Sequence, residues 1–320
     1  MIFQKGSAFA VLRCFLVQSL FFSGLLITFQ TLNQKALAAS YKMEAASEVV
    51  PEAGSKVRSY YGKKFYDLMS SPNLQIGDAL RAQLELVLNG YHVKKQNDFD
   101  DVLSQCPEGK CYRHTSVGYG RARVFLLGEF YLIQLGRDFG IQDVYCNKVY
   151  TKDDFGSGSG PAPLRIPDNT VVNVEHTWPQ SRFSSQRSKE EQKSDLHHLF
   201  PSDSELNSIR GNNPFGEVVR ETLSLKCRSG ARFGTTVQNS GDTFEPPDDH
   251  KGNVARALFY FAVKYGMSIG AEQEATLRKW HKNDPVDRNE YERNNEIFKI
   301  QGSLNPFIDH PQAADLISDF

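Results

Sequence analysis

Beyond its first forty residues, this 320-residue sequence has no long hydrophobic run. Nothing past that point is long or apolar enough to form a helix that crosses a bilayer. An excess of positive charge is also missing: 37 Lys and Arg face 38 Asp and Glu, for a net charge of −1. Any grip on a polyanion must therefore come from a local basic surface, not from overall charge. Cysteine is scarce, with five in the chain, and no two show the Cys-x2-Cys spacing that zinc sites favour. There is no internal repeat, which excludes a repeat array.

The one apolar stretch runs from Phe15 to Phe29, interrupted only by Gln18, Ser19, Ser23, Gly24 and Thr28. Lys5 and Arg13 precede it, and Ala36-Leu37-Ala38 follows. A positive start, a short apolar core and a small-residue site describe a secretory signal peptide over 1–38, cleaved before Ala39. The alternative, a membrane anchor, fits less well because the run is short for a span of about 20 apolar residues. Cleavage removes Lys5, Arg13 and Lys35 and no acid, taking the net charge from −1 to −4. Export to an oxidising compartment suits the four cysteines that remain, Cys106, Cys111, Cys146 and Cys227. Three pairings are open to them. Cys106–Cys111 would close a short loop around Pro107-Glu108-Gly109, and Cys146–Cys227 would then tie the middle of the chain together.

Residues 39–57 are mostly small and polar and are expected to form a flexible lead-in. Ile76, Leu80, Leu84 and Leu88 recur at helical spacing, with Gly90 as a stop. A helix over Arg121–Leu127 is expected to run on into a strand. Asp143–Tyr150 has a strand-like composition, and Phe155–Pro161 is a Gly/Ser loop. Thr170–Glu175 reads as a strand ended by Pro179, and Leu196–Phe200 as a second, stopped by Pro201. Ser202 and Glu205 suggest a capping box opening a helix that carries Asn207. The last third is mainly helical. One helix should bury a face of Val254, Ala257, Leu258, Phe261 and Ala262 before Gly266, and two more should cover 271–282 and 287–299. The class is mixed α+β.

The informative text is Asn173-Val-Glu175-His176-Thr-Trp-Pro179, then Ser194-Asp195-Leu-His197-His198-Leu-Phe-Pro201, then Asn207-x-x-Arg210-Gly-Asn212. Hydrolysing a phosphodiester needs a base to take a proton from water, and a hard cation to neutralise charge on the phosphate and leaving oxygen. An imidazole suits the first task, and His176 offers it. Glu175 and Asn207 offer the oxygen ligands that Mg2+ prefers. Arg210 falls three residues after Asn207, on the same face of a helix. Arg182 and Arg187 lie in the loop where a nucleic-acid backbone could reach them. Taken singly, each of these residues has a bland reading as a surface charge, an exposed amide or a packed ring. His197 and His198 are adjacent, so at most one should face the site. Glu175 and His176 are adjacent too, and a strand would point them to opposite faces.

These blocks resemble the endonuclease I family of periplasmic and secreted bacterial nucleases, in the His-Me finger (ββα-metal) superfamily. The matching text also includes Asp143-Val-Tyr-Cys146 and Gln301-Gly-x-x-Asn305-Pro-Phe-Ile-Asp-His310-Pro311, all in family order across about residues 60–312. The resemblance implies a single nuclease domain over 58–312 built around a ββα-metal finger, with 313–320 left as a tail. It implies His176 as general base, and Glu175 and Asn207 as ligands of one metal ion, usually Mg2+, with Mn2+ or Ca2+ as alternatives. Arg187 and Arg210 become candidates for phosphate contact, and His197 and Asn212 for support behind the site. The implied reaction cuts DNA, and RNA too in many such enzymes, with little sequence preference, leaving 5′-phosphate and 3′-hydroxyl ends. The implied place is outside the cytoplasm, secreted or periplasmic. No stable membrane association is expected after cleavage of the signal, and no protein partner can be inferred. Rival readings are a nucleic-acid binder that has lost catalysis, a small-molecule phosphoesterase and a structural metal module. The first should lack a ligand or the base, the second needs a closed pocket, and the third should show Cys/His spacing.

Overall fold

The computed structural model describes residues 57–71, 76–227, 230–238 and 240–320. The signal segment, and all of the lead-in except Val57, lie outside the described residues.

The chain opens with helices α1 (Gly62–Met69) and α2 (Gly77–Asn89). Leu80, Leu84 and Leu88 fall on the buried face of α2, as their spacing predicts. The helix stops at Gly90, where a Cβ would lie 2.5 Å from the carbonyl oxygen of Leu86. Strands β1 (Tyr91–Val93) and β2 (Asp101–Leu103) pair antiparallel. Helix α3 (Tyr119–Phe125) widens into a π-turn over Leu126–Phe130 and then passes into β3 (Leu132–Leu135). That strand joins β4 (Asp138–Gln142) and β5 (Val149–Thr151) in the order β3-β4-β5.

The strand expected over Asp143–Tyr150 is confined to its end. Buried Asp143 accepts the backbone N–H groups of Tyr145 and Cys146, each at 2.8 Å, and so turns the chain.

Next comes the strand, long loop, strand, helix unit that carries the informative text. It comprises β6 (Val172–His176), a loop holding α4 (Lys189–Ser194), β7 (Leu199–Asp203) and α5 (Ser204–Arg210). β6 and β7 pair antiparallel, with Glu175 opposite Phe200 and His176 opposite Leu199. Two local expectations need correction here. Pro201 does not stop the second strand; it sits within β7, where this two-stranded sheet leaves an outer edge that needs no donor. The helix cap is Asp203, not Ser202: its carboxylate accepts the N–H of Leu206 at 2.9 Å, while Glu205 turns outward to Lys226.

β8 (Arg220–Leu223), β9 (Arg232–Thr235) and β10 (Thr243–Glu245) form a fourth sheet in the order β10-β9-β8. Helices α6 (Lys251–Tyr265), α7 (Ala271–Asn283), α8 (Arg288–Gln301), α9 (Pro306–Asp309) and α10 (Ala313–Leu316) complete the mixed α+β fold.

The sequence suggests one apolar face on α6, but the helix is enclosed almost all round. Its polar residues are accommodated by pairing: Arg256 forms a buried ion pair with Glu290 at 2.6 Å. Phe259, Phe261 and Tyr265 stack within the larger core.

Residues 313–320 are not a free tail. Phe320 is fully buried and stacks on Phe259 at 4.2 Å, its carbonyl accepts the N–H of Ile269, and Arg278 binds the carbonyls of Ala314 and Ile317. Two disulfides, Cys106–Cys111 and Cys146–Cys227, give the pairing that places a short local loop beside a long-range tie.

Candidate active site

A cleft of about 480 Å³ opens beside the end of β6. Glu175, His176, Asn207, Arg210 and Asn212 all line it, with Asn173, Gln180, Tyr119 and Arg123. Burial would ordinarily push a carboxylate toward its neutral form, and the pKa of Glu175 is indeed raised by it. Two groups oppose that rise. Arg210 Nη1 stands 3.0 Å from Glu175 Oε1, and Tyr145 Oη donates to the same oxygen at 2.9 Å. Tyr145 is in turn held by the turn around Asp143 and tethered by the adjacent Cys146–Cys227 bridge. The Asp143–Cys146 block thus reaches the site through one phenol. Asp143 also accepts the N–H of Asp203, the cap of α5, so one carboxylate fixes both Tyr145 and the helix that carries Asn207.

Arg210 does not offer itself to solvent. Its side chain is 2% exposed, and it donates to the carbonyls of His176 (3.0 Å) and Thr177 (2.6 Å) while lying over the ring of Phe215. Its assignment as a phosphate contact is therefore corrected: buried and engaged with Glu175 and the backbone, it orients the carboxylate. Arg187 lies outside the cleft and pairs at the surface with Glu85 at 3.2 Å. Arg182 borders neighbouring cavities rather than this one.

His176 has a defined tautomer. Its Nε2 lies 3.1 Å from the carbonyl oxygen of Lys193, which can only accept, so Nε2 carries the proton. Nδ1 is then the basic nitrogen, and its nearest polar neighbour is Gln180 Nε2 at 3.4 Å. Burial, followed by the positive neighbourhood of His198, Lys193 and Arg210, pushes the imidazole pKa down to about 3. The ring is thus neutral across the physiological range. Tyr119, Phe183 and His198 surround it, with ring centroids 5.4, 6.2 and 5.5 Å away.

His198, not His197, is the histidine behind the site. Its Nε2 donates to the carbonyl of Gln192 at 2.7 Å. His197 points the other way, to the carbonyl of Ser303 and the ring of Tyr260. Asn212 sits at the rim, 3.5 Å from Ser181 Oγ.

The sequence reading gave Asp195 no role. Burial alone would raise its pKa, yet Lys264 and the surrounding histidines hold it well below the ordinary range. It accepts from Tyr260, Tyr265, Gln301 and the N–H of His197, and so fastens the approach to β7 onto α6. Gln301, from the last matching block, also accepts the N–H of Leu196. Such buried, multiply bonded side chains cannot be told from surface ones by spacing alone.

The donor set suits a hard cation. Among the described residues no donor reaches Glu175 Oε2, and Asn207 spends its Nδ2 on Asn173 Oδ1 at 2.7 Å, leaving its own oxygen free. One carboxylate oxygen and one amide oxygen therefore face a shared cleft, with no cluster of three His, Cys or acidic ligands among the described residues.

An extracellular ribonuclease of Bacillus subtilis is 38% identical over 165 residues, 45% of this chain and 53% of that protein. A periplasmic deoxyribonuclease of Aeromonas hydrophila is 34% identical over 116 residues, 36% of this chain and 47% of its own length. Endonuclease-1 of Buchnera aphidicola subsp. Baizongia pistaciae is 32% identical over 114 residues, 36% of this chain and 45% of the relative. The chain spans about half the length of the curated relatives it matches. The family model for endonuclease I matches residues 108–312, a stretch that contains every lining residue of the cleft. With that match across well over half its length, the chain belongs to the endonuclease I family.

Proposed function

We propose that this protein is an exported, metal-dependent endonuclease that hydrolyses phosphodiester bonds in DNA, and in RNA as well, with little sequence preference. The observation that carries the reading is the state of His176: a neutral imidazole, proton fixed on Nε2 by the Lys193 carbonyl, with Nδ1 met only by a long 3.4 Å contact from Gln180 Nε2 at a cleft that also presents Glu175 and Asn207. In this reading Nδ1 takes a proton from the attacking water. Glu175 and Asn207 would hold one divalent cation, Mg2+ before Mn2+ or Ca2+. When bound, the cation supplies charge neutralisation at the scissile phosphate and the departing 3′ oxygen. Arg210 and Tyr145 oppose the rise in pKa that burial imposes on Glu175 and hold its carboxyl group in place. Departure of the 3′ oxygen leaves 5′-phosphate and 3′-hydroxyl ends.

Support for the polymer substrate comes from the relatives, which are named for ribonuclease, deoxyribonuclease and endonuclease activity. Their names also place them outside the cell or in the periplasm. The signal-like N-terminus and the two disulfides point the same way. Among the described residues no helix is long and apolar enough to cross a membrane.

The test is cleavage of plasmid and of RNA with Mg2+ or EDTA. Wild type should cut with Mg2+ and stop with EDTA, and its nicks should be resealed by a ligase that requires 5′-phosphate and 3′-hydroxyl ends. His176→Ala should lose at least about 100-fold in kcat, the scale of a lost general base. Equal activity of the two proteins would overturn the reading.

A further inference from the structure

Arg210 is paired with Glu175 and Arg187 with Glu85, so a phosphate entering the cleft calls for cations without a carboxylate partner. Two cations lie over one ring of its wall, Arg123 from the lining itself and Lys193 from just outside it. The Arg123 guanidinium lies 5.1 Å from the centroid of Tyr119, and the Lys193 ammonium 4.5 Å from the same centroid. Tyr119 and Arg123 are four residues apart on α3, so they share a helix face. Lys193 arrives from α4, whose Glu190 carboxylate accepts the N–H of Tyr119 at 2.8 Å, while Ser194 Oγ meets Ser116 Oγ at 2.7 Å. The two helices are thus pinned together at the ring.

Neither Arg123 nor Lys193 forms a side-chain ion pair or hydrogen bond among the described residues, and the buried Arg123 Nε has no partner. That is unlike the other basic residues near the site, since Arg210 and Arg187 both have carboxylate partners. Two like charges held within a few ångströms of one ring repel each other unless an anion joins them. The Tyr119 ring is 5.4 Å from His176, and Tyr119 and Arg123 line the cleft.

We propose that Arg123 and Lys193, gathered by Tyr119, form a phosphate-binding subsite for the backbone phosphate next to the scissile one, on the His176 side of the cleft. This rests on the nuclease reading above. The cations engage the ring, so Tyr119 serves as their scaffold rather than as a stacking platform for a base. The subsite then reads phosphate and not base, consistent with cutting that ignores sequence.

The test measures binding of fluorescein-labelled single-stranded dT and dA oligonucleotides by anisotropy in EDTA, across a salt series, alongside cleavage kinetics in Mg2+. Neutralising both cations (Arg123→Gln with Lys193→Gln) should flatten the slope of log affinity against log salt by about 0.7, the share of one phosphate on a single strand. KM should rise about tenfold or more while kcat stays within about threefold. The charge-preserving pair Arg123→Lys with Lys193→Arg should restore the slope, and Tyr119→Phe should keep it. An unchanged slope and KM in the doubly neutralised protein, with wild type cutting normally, would overturn the subsite and leave the nuclease reading intact. A dT-over-dA preference abolished by Tyr119→Leu would overturn the scaffold role by making the ring a base platform. Absence of cleavage by wild type would instead remove the nuclease reading, while the salt slope still reports on the subsite.

Discussion

The two faces of β6 hold their functional groups by opposite means. On one face Glu175 is an interior carboxyl group, raised in pKa by burial and partly held against that rise by a buried guanidinium and one phenol. On the other face His176 is an interior neutral ring, fixed by a single backbone carbonyl and enclosed by aromatic rings. The strand's alternation is therefore not broken to bring neighbours together. The strand ends at His176, and the cleft collects both faces at that end. The lesson is that a carboxyl group and an imidazole at adjacent strand positions can reach one cleft if each has its own supporting apparatus.

That contrast predicts unequal fragility. Removing the cation partner should hurt most. Arg210→Met would leave a buried carboxylate with only Tyr145, and a loss of about 3–5 kcal/mol is expected. Thermal unfolding of Arg210→Met against the Arg210→Met, Glu175→Gln double mutant sharpens the comparison, because the double mutant should recover part of the loss. Equal stability of the two would mean that the pair is not coupled.

A smaller effect is expected at the phenol. Tyr145→Phe removes one hydrogen bond to a charged group, about 1.5–3 kcal/mol, and should raise the Mg2+ concentration needed for half-maximal cutting. If the Mg2+ dependence does not move, Tyr145 does not aim the carboxylate.

The smallest effect per step belongs to pH, on the histidine face. Burial pushes His176 to about 3 and His198 to about 4, below the ordinary value near 6.5. The unfolded chain therefore takes up protons first as pH falls. Stability should be flat above pH 6.5 and should fall between there and about pH 4, by at most about 1.4 kcal/mol per unit for each such ring. Melting across that range checks it, and a flat profile would contradict neutral burial.

Much of the fold was legible because it obeys simple periodicity. The spacing of Leu80, Leu84 and Leu88, the passage from α3 into β3, and the three late helices before Gly266, near 283 and near 301 all follow local pattern. What spacing could not reveal was burial. Residues 313–320 read as a tail beyond the domain, yet Ile317 and Phe320 fill a gap beside α6 that only the folded chain creates. At the site, residue types identified Glu175, His176 and Asn207 as candidates, and the cleft brings them together. The same spacing misassigned Arg210, because a guanidinium three residues from an amide looks alike whether it faces solvent or a carboxylate. It also put His197 rather than His198 behind the site, since strand alternation begins only after the short 3-10 turn that holds both. Tyr119 and Arg123 went unnoticed because they come from a helix some fifty residues upstream of the motif.

The division of labour between the two faces of β6 is the central claim, and metal binding tests it apart from turnover. Mn2+ titration by calorimetry on wild type, Glu175→Gln and His176→Ala, each also assayed for cutting, separates the roles. The division predicts that His176→Ala binds Mn2+ as wild type does but barely cuts, whereas Glu175→Gln loses most of its Mn2+ affinity. Loss of binding in His176→Ala with binding retained in Glu175→Gln would contradict it.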